Sequence, residues 1–172
     1  MSAFNRRCVA ASMAGAALLS TLLVGTAHAV DQTIDLPEGV ACPDFPLRIE
    51  ITNNPNRVVK EFTDGDGNVV RIIEAGKAND FLLTNVESGK TIFFKGRGSA
   101  ATTTVNPDGT TTVENNGHTG VVLFPADVPL PGGSAPSTTL YIGRVVYTIG
   151  ADGIFTVQSA AGRTVDICAE LG

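Results

Sequence analysis

The sequence predicts an all-β fold: an antiparallel meander closed as a β-barrel or a β-sandwich. Three observations carry this expectation. Short runs alternate between apolar and polar residues, Gly, Asp and Asn turns punctuate them, and helical periodicity is absent from Phe45 onward. A meander of many strands must close or fold over, because an open edge exposes a row of unpaired backbone groups.

Taken in order, residues 1–29 read as a signal peptide. Arg6 and Arg7 supply positive charge, an apolar run extends from Val9 to Gly25, and Ala27-His28-Ala29 forms a small-x-small cleavage site before Val30. Cys8 precedes the apolar run, so it is not placed as a lipidated cysteine. The neighbours of Arg6-Arg7 give a twin-arginine motif no support, which favours the ordinary secretory route. Cleavage leaves 143 of the 172 residues, enough for a single domain with its own core. Residues 30–44, with Asp31, Asp35 and Glu38, are acidic and aperiodic and read as an amino-terminal arm; residues 45–172 read as one all-β domain.

The clearest strand spans Phe45 to Ile51, where Phe45, Leu47, Ile49 and Ile51 leave one face and Arg48 and Glu50 the other. Further strands are expected over 57–63, 69–75, 80–85, 91–95, 100–105, 110–114, 121–124, 139–149, 154–159 and 164–168. Asp66-Gly67, Asp108-Gly109 and Asp152-Gly153 mark tight reversals, since glycine accepts positive φ and aspartate bonds its own backbone. Ser88-Gly89 and Ala161-Gly162 are two more hairpin candidates. The segment 124–136 carries Pro125, Pro129, Pro131 and Pro136, which cannot donate to a ladder, so it reads as a long surface loop.

Two cysteines, Cys42 and Cys168, remain after cleavage, and in an oxidising compartment an even count implies a disulfide. That bridge would tie the arm to the last strand. The 12 Lys and Arg fall to 10 against 17 Asp and Glu, so the net charge moves from −5 to −7. Such an acidic surface argues against nucleic acid and anionic lipid as partners. No apolar run after the leader reaches the roughly 18 residues of a membrane-spanning helix.

Catalytic and cofactor motifs fail on inspection. Asp64-Gly65-Asp66-Gly67-Asn68 has the oxygen spacing of a calcium loop, but Val69 stands where that loop needs glycine and Ala75 where it needs glutamate. Gly89-Lys90-Thr91 lacks the preceding glycine of a phosphate loop, since Thr84 is there. His118 is the one histidine after the leader, sits among turn formers and reads as a surface turn residue; no serine elbow accompanies it. No cofactor, metal or catalytic residue is assigned, although a carboxylate pair set by the fold would leave no mark in the sequence.

Candidate recognition residues come from two places. Thr102, Thr104, Thr110 and Thr112 flank the turn at Asp108-Gly109 in a threonine-rich hairpin expected to project or form an edge, either as a polar recognition surface or as a soluble edge. Tyr141 and Tyr147 lie on the same face of one strand and suit stacking on a sugar or simple core filling.

Four segments, Phe62 to Arg71, Leu123 to Pro129, Leu140 to Thr148 and Asp166 to Ala169, resemble a group of small secreted proteins of actinobacteria that have no assigned activity. The resemblance implies export and carries over no functional residue. The functional expectation is a secreted, non-enzymatic binding or interaction module whose extracellular partner is a protein, a glycan or a small ligand. The alternative is a small-ligand carrier, expected to hold an enlarged apolar cavity, and a secreted hydrolase comes third.

Overall fold

Ten strands and one short helix follow one another along residues 30–172 of the computed structural model; residues 1–29, with the expected signal peptide and Cys8, lie outside the described residues. The strands are β1 (Gln32–Leu36), β2 (Leu47–Thr52), β3 (Arg57–Thr63), β4 (Val69–Lys77), β5 (Asp80–Asn85), β6 (Thr91–Phe94), β7 (Gly98–Val105), β8 (Thr111–Leu123), β9 (Ser137–Ile149) and β10 (Phe155–Asp166), followed by α1 (Ile167–Leu171). They form two antiparallel sheets, one of four strands in the order β1-β2-β5-β6 and one of six in the order β10-β9-β8-β7-β4-β3. Neither sheet closes into a barrel.

Three hairpins share one turn geometry, and it follows from their Asp-Gly pairs. In the loops beginning at Asp64, Asn106 and Gly150, the first residue's N–H donates to the carbonyl four residues on, while a glycine N–H at the fourth position donates back to the first carbonyl. Those glycines, Gly67, Gly109 and Gly153, hold φ between 83° and 89°, where a side chain would be strained. Asp108 and Asp152 each accept the N–H two residues ahead, at 3.0 and 3.1 Å.

Other expectations are corrected. The arm is not wholly irregular: Gln32–Leu36 pairs with β2, Ile34 facing Ile49 and Leu36 facing Leu47, a pairing that its acidic residues obscured. The expected strands 110–114 and 121–124 are one strand, β8, and His118 lies inside it opposite Ile142, not in a turn. The expected strands 154–159 and 164–168 are likewise joined in β10, so Ala161-Gly162 is no hairpin. Gly117 and Gly162, read as turn residues, instead both face Gly143 of β9.

These glycines belong to a row that crosses the large sheet. Gly76, Gly117, Gly143 and Gly162 have φ of 149°, 113°, 143° and 106°. A Cβ on any of them would overlap a neighbouring carbonyl oxygen, those of Asn56, Gly98, Ala161 and Ile142 respectively. Along this row, termed the crease, neighbouring strands approach too closely to admit a side chain.

Beyond the crease, toward Leu123 and Ser137, the large sheet buries both faces. Val122, Leu140, Ile142 and Val165 join Leu47, Ile49 and Leu83 of the small sheet, with Ile167 and Leu171 of α1, in one core. On the opposite face Val121, Leu123 and Tyr141 form a second cluster with Val145 and Val157, and Leu130 and Ala135 of the proline segment pack on it. The Cys42–Cys168 disulfide, with Cα atoms 5.4 Å apart, joins the β1–β2 loop to α1. Cys168 therefore sits in a helix rather than at the end of the final strand: Asp166 caps Ile167–Leu171 by accepting the Ala169 N–H.

Candidate functional site

Register places the recognition candidates on different faces, because directly opposed residues share a face and neighbours along a strand alternate. Thr104 faces Thr112, Thr102 faces Glu114, and Thr112 faces Thr148, so these threonines lie on one face of the large sheet. Tyr141, opposite Thr119, and Tyr147, opposite Val113, lie on the other. The structure does not bring the two sets together. Nor does the threonine hairpin form an edge, since β4 flanks β7 and β9 flanks β8; threonine is a good strand former and cross-strand pairing placed it centrally.

Several threonine hydroxyls are engaged locally. Asn106 Nδ2 donates to the hydroxyls of both Thr110 and Thr112 at 2.9 Å, and the Thr110 hydroxyl donates to Asp108 at 2.7 Å. Gln158 donates to the Thr148 hydroxyl at 3.1 Å. The Asp108 carboxyl lies below the usual range because it accepts from the Thr110 hydroxyl and backbone. Beside this row, Arg144 holds Glu114 through two contacts of 2.8 and 3.0 Å, which lowers the Glu114 pKa and raises that of Arg144.

Tyr141 is 7% exposed, and Tyr147 stacks on Phe155 with centroids 5.5 Å apart. Burial raises the pKa of both phenols, so each is neutral at physiological pH. Tyr141 also borders a polar groove. The proline segment is folded over the tyrosine face of the large sheet and leaves a groove of about 330 Å³. Ser137, Thr139 and Tyr141 of β9, Thr164 and Asp166 of β10, and Ser134 of the loop line it.

The loop is held there by a buried carboxylate. Asp127 accepts the Phe124 N–H at 2.7 Å and the Phe155 N–H at 2.8 Å, one on each oxygen. Val128 bonds β10 beside it, donating to the Phe155 carbonyl and accepting the Val157 N–H. A turn closes the far end, where the Gly133 N–H donates to the Leu130 carbonyl at 2.8 Å and Gly132 takes a φ of 86°. The groove wall is thus preorganised, and its lining residues carry four hydroxyls, the largely buried phenol of Tyr141 and a carboxylate.

Sequence reading located Tyr141 and the proline loop separately but missed Ser134, Ser137, Thr139, Thr164 and Asp166. A signal was present: Ser137, Thr139 and Tyr141 share the period-two face of one strand. Among the described residues, no group of three or more His, Cys, Asp and Glu side chains is arranged to hold a metal ion. No described helix is long and apolar enough to cross a membrane. No family model matches the chain, and no curated protein or solved structure matches it.

Proposed function

We propose that the protein is a secreted, non-enzymatic binding module whose groove beneath the proline loop takes a hydroxyl-rich ligand, a glycan chain being the class that fits. The observation that carries this is the loop clamped by Asp127 over Ser137, Thr139, Tyr141, Thr164 and Asp166. Sugars present closely spaced hydroxyls that both donate and accept, and serine and threonine hydroxyls with one carboxylate answer both roles. A rigid wall reduces the ordering cost of binding. Export is supported by the leader-like segment, by the Cys42–Cys168 bridge and by the resemblance to small secreted proteins of actinobacteria.

The two open sheets, with side chains from both in one core, support a sandwich as the finer description of the fold. The small-ligand carrier barrel is not adopted, because neither sheet closes. The apolar space between the sheets measures about 180 Å³, below the roughly 300–1,000 Å³ of sites for drug-sized ligands. Hydrolysis is not adopted either, although His118 and Glu74 border a common groove.

Titration calorimetry with chitohexaose, mannohexaose and xylohexaose tests the proposal. At least one binds, and the double substitution Thr139→Val, Thr164→Val weakens it about tenfold, as expected for two lost neutral hydrogen bonds. Asp166 is left intact because it caps α1. Absence of binding to all three, or binding indifferent to the double substitution, overturns the reading.

A further inference from the structure

We propose a second site, separate from the proline-loop groove, for a small amphiphile with a short alkyl chain and a neutral hydrogen-bonding head. Two cavities meet at the free flank of β8. Ala100 opposite Asn116 is the last β7–β8 pair on that side, so the remainder of β8 pairs with β9 alone. Ala78 and Asn79 of the β4–β5 connection and Phe81 of β5 line a cavity with His118, Thr119 and Gly120 on that flank.

The first cavity, about 300 Å³, is polar and bordered by Arg57, Glu74, Asn79, Asn115 and His118. The second, about 180 Å³, lies between the sheets among Ile49, Ile51, Leu83 and Val122. Phe81 and Gly120 border both.

Gly120 is the telling residue. It has no positive φ, unlike the glycines of the crease. A Cβ built on it meets no atom within 4 Å, so neither backbone conformation nor packing requires glycine there. Gly120 is itself exposed, and its missing side chain leaves room beside Phe81, where the polar and the apolar space border one another.

The chemistry of each half sets the ligand class. Arg57 reaches Glu74 and Ser99 only at 3.4 Å, longer than the roughly 2.7–2.9 Å of a tight charge-assisted bond, so its guanidinium keeps donor capacity. Glu74 beside it balances that charge, which favours a neutral head over an anion. The apolar half is slightly larger than a cavity of about 150 Å³ that admits benzene, a size suited to about five or six carbons.

Hexanamide, hexanoate and acetamide separate these requirements, with binding read from amide shifts in nitrogen–proton correlation spectra. Hexanamide is expected to shift the amides of Phe81, His118 and Gly120 saturably, acetamide to produce no saturable change, and hexanoate to bind at least fivefold more weakly. Gly120→Val, whose Cβ meets no atom within 4 Å, adds bulk between the two spaces and is expected to weaken hexanamide at least tenfold, and the milder Gly120→Ala to weaken it less. Shifts confined to the proline-loop groove, hexanoate binding as well as hexanamide, or unchanged affinity in folded Gly120→Val overturns the proposal. Oligosaccharide binding is read on different residues, so either proposal can fail alone.

Discussion

Gly143 and Gly120 show how one residue type does two opposite things in the same sheet. At Gly143 the backbone demands glycine, with φ of 143° and no room before the Ala161 carbonyl; at Gly120 nothing does. Gly143→Ala is therefore expected to destabilise the fold by about 2–4 kcal/mol, combining strained φ with a forced strand separation. Gly120→Ala is expected to change stability by less than about 0.5 kcal/mol, or to stabilise slightly. Urea unfolding of the two variants checks the contrast, and equal losses would contradict the crease. Nothing in the local sequence distinguishes the two positions, because the neighbouring strands that crowd Gly143 are brought there by pairing.

Among the elements, the proline segment is held in place by one buried side chain, Asp127, beside the backbone bonds of Val128. Four prolines keep it from forming a continuous strand, and that much is legible from composition; of its residues, Val128 alone bridges to β10. Its seat over β9 and β10 is not legible, since it depends on Asp127 meeting the N–H of Phe155 across the fold. Asp127→Ala deprives two partly buried N–H groups of their acceptor and is expected to cost about 2–3 kcal/mol. Limited proteolysis should then cut within 124–136 well before global unfolding; resistance equal to the parent would show that Val128 and Leu130 hold the loop unaided. β8 makes the complementary point. Its middle, Asn115 to Gly120, has the composition of a turn, yet β9 pairs with it from Thr111 to Leu123 and keeps it extended. Local propensity loses there to cross-strand pairing on a long neighbour.

For the whole molecule, the disulfide and the carboxylates govern stability under different conditions. The bridge spans 126 positions, for which loop-closure entropy suggests a contribution of about 4–5 kcal/mol. Reduction, or Cys42→Ala with Cys168→Ala, is expected to lower the urea midpoint accordingly, with unchanged stability the contrary result. Acid acts through exposed groups. Asp35 is lowered chiefly by its hydrogen bonds from Arg48, Asp64 by the Asn68 backbone, Asp108 by the Thr110 hydroxyl, and Glu114 by Arg144. Each binds its proton less readily folded than unfolded, so its contribution is present above the unfolded values near 4 and is lost as pH falls through the lower folded values. Thermal unfolding from pH 7 to pH 2 should show a flat melting temperature until about pH 4 and a decline below it. A melting temperature rising with acidity would reverse that sign.

By itself the sequence determined the β class, the Asp-Gly hairpins, the pairing of Cys42 with Cys168, and most strand positions, because alternation, turn chemistry and cysteine count act over a few residues or by simple arithmetic. Tertiary structure alone decided that the strands divide into open sheets of four and six, that four glycines align into a crease, and that the threonines and tyrosines occupy opposite faces. It also decided that Ser137, Thr139, Thr164 and Asp166 share a groove while Gly120 borders two cavities. Those features rest on register between strands distant in the chain, and register is settled by the packing of whole faces, which no local stretch of residues specifies.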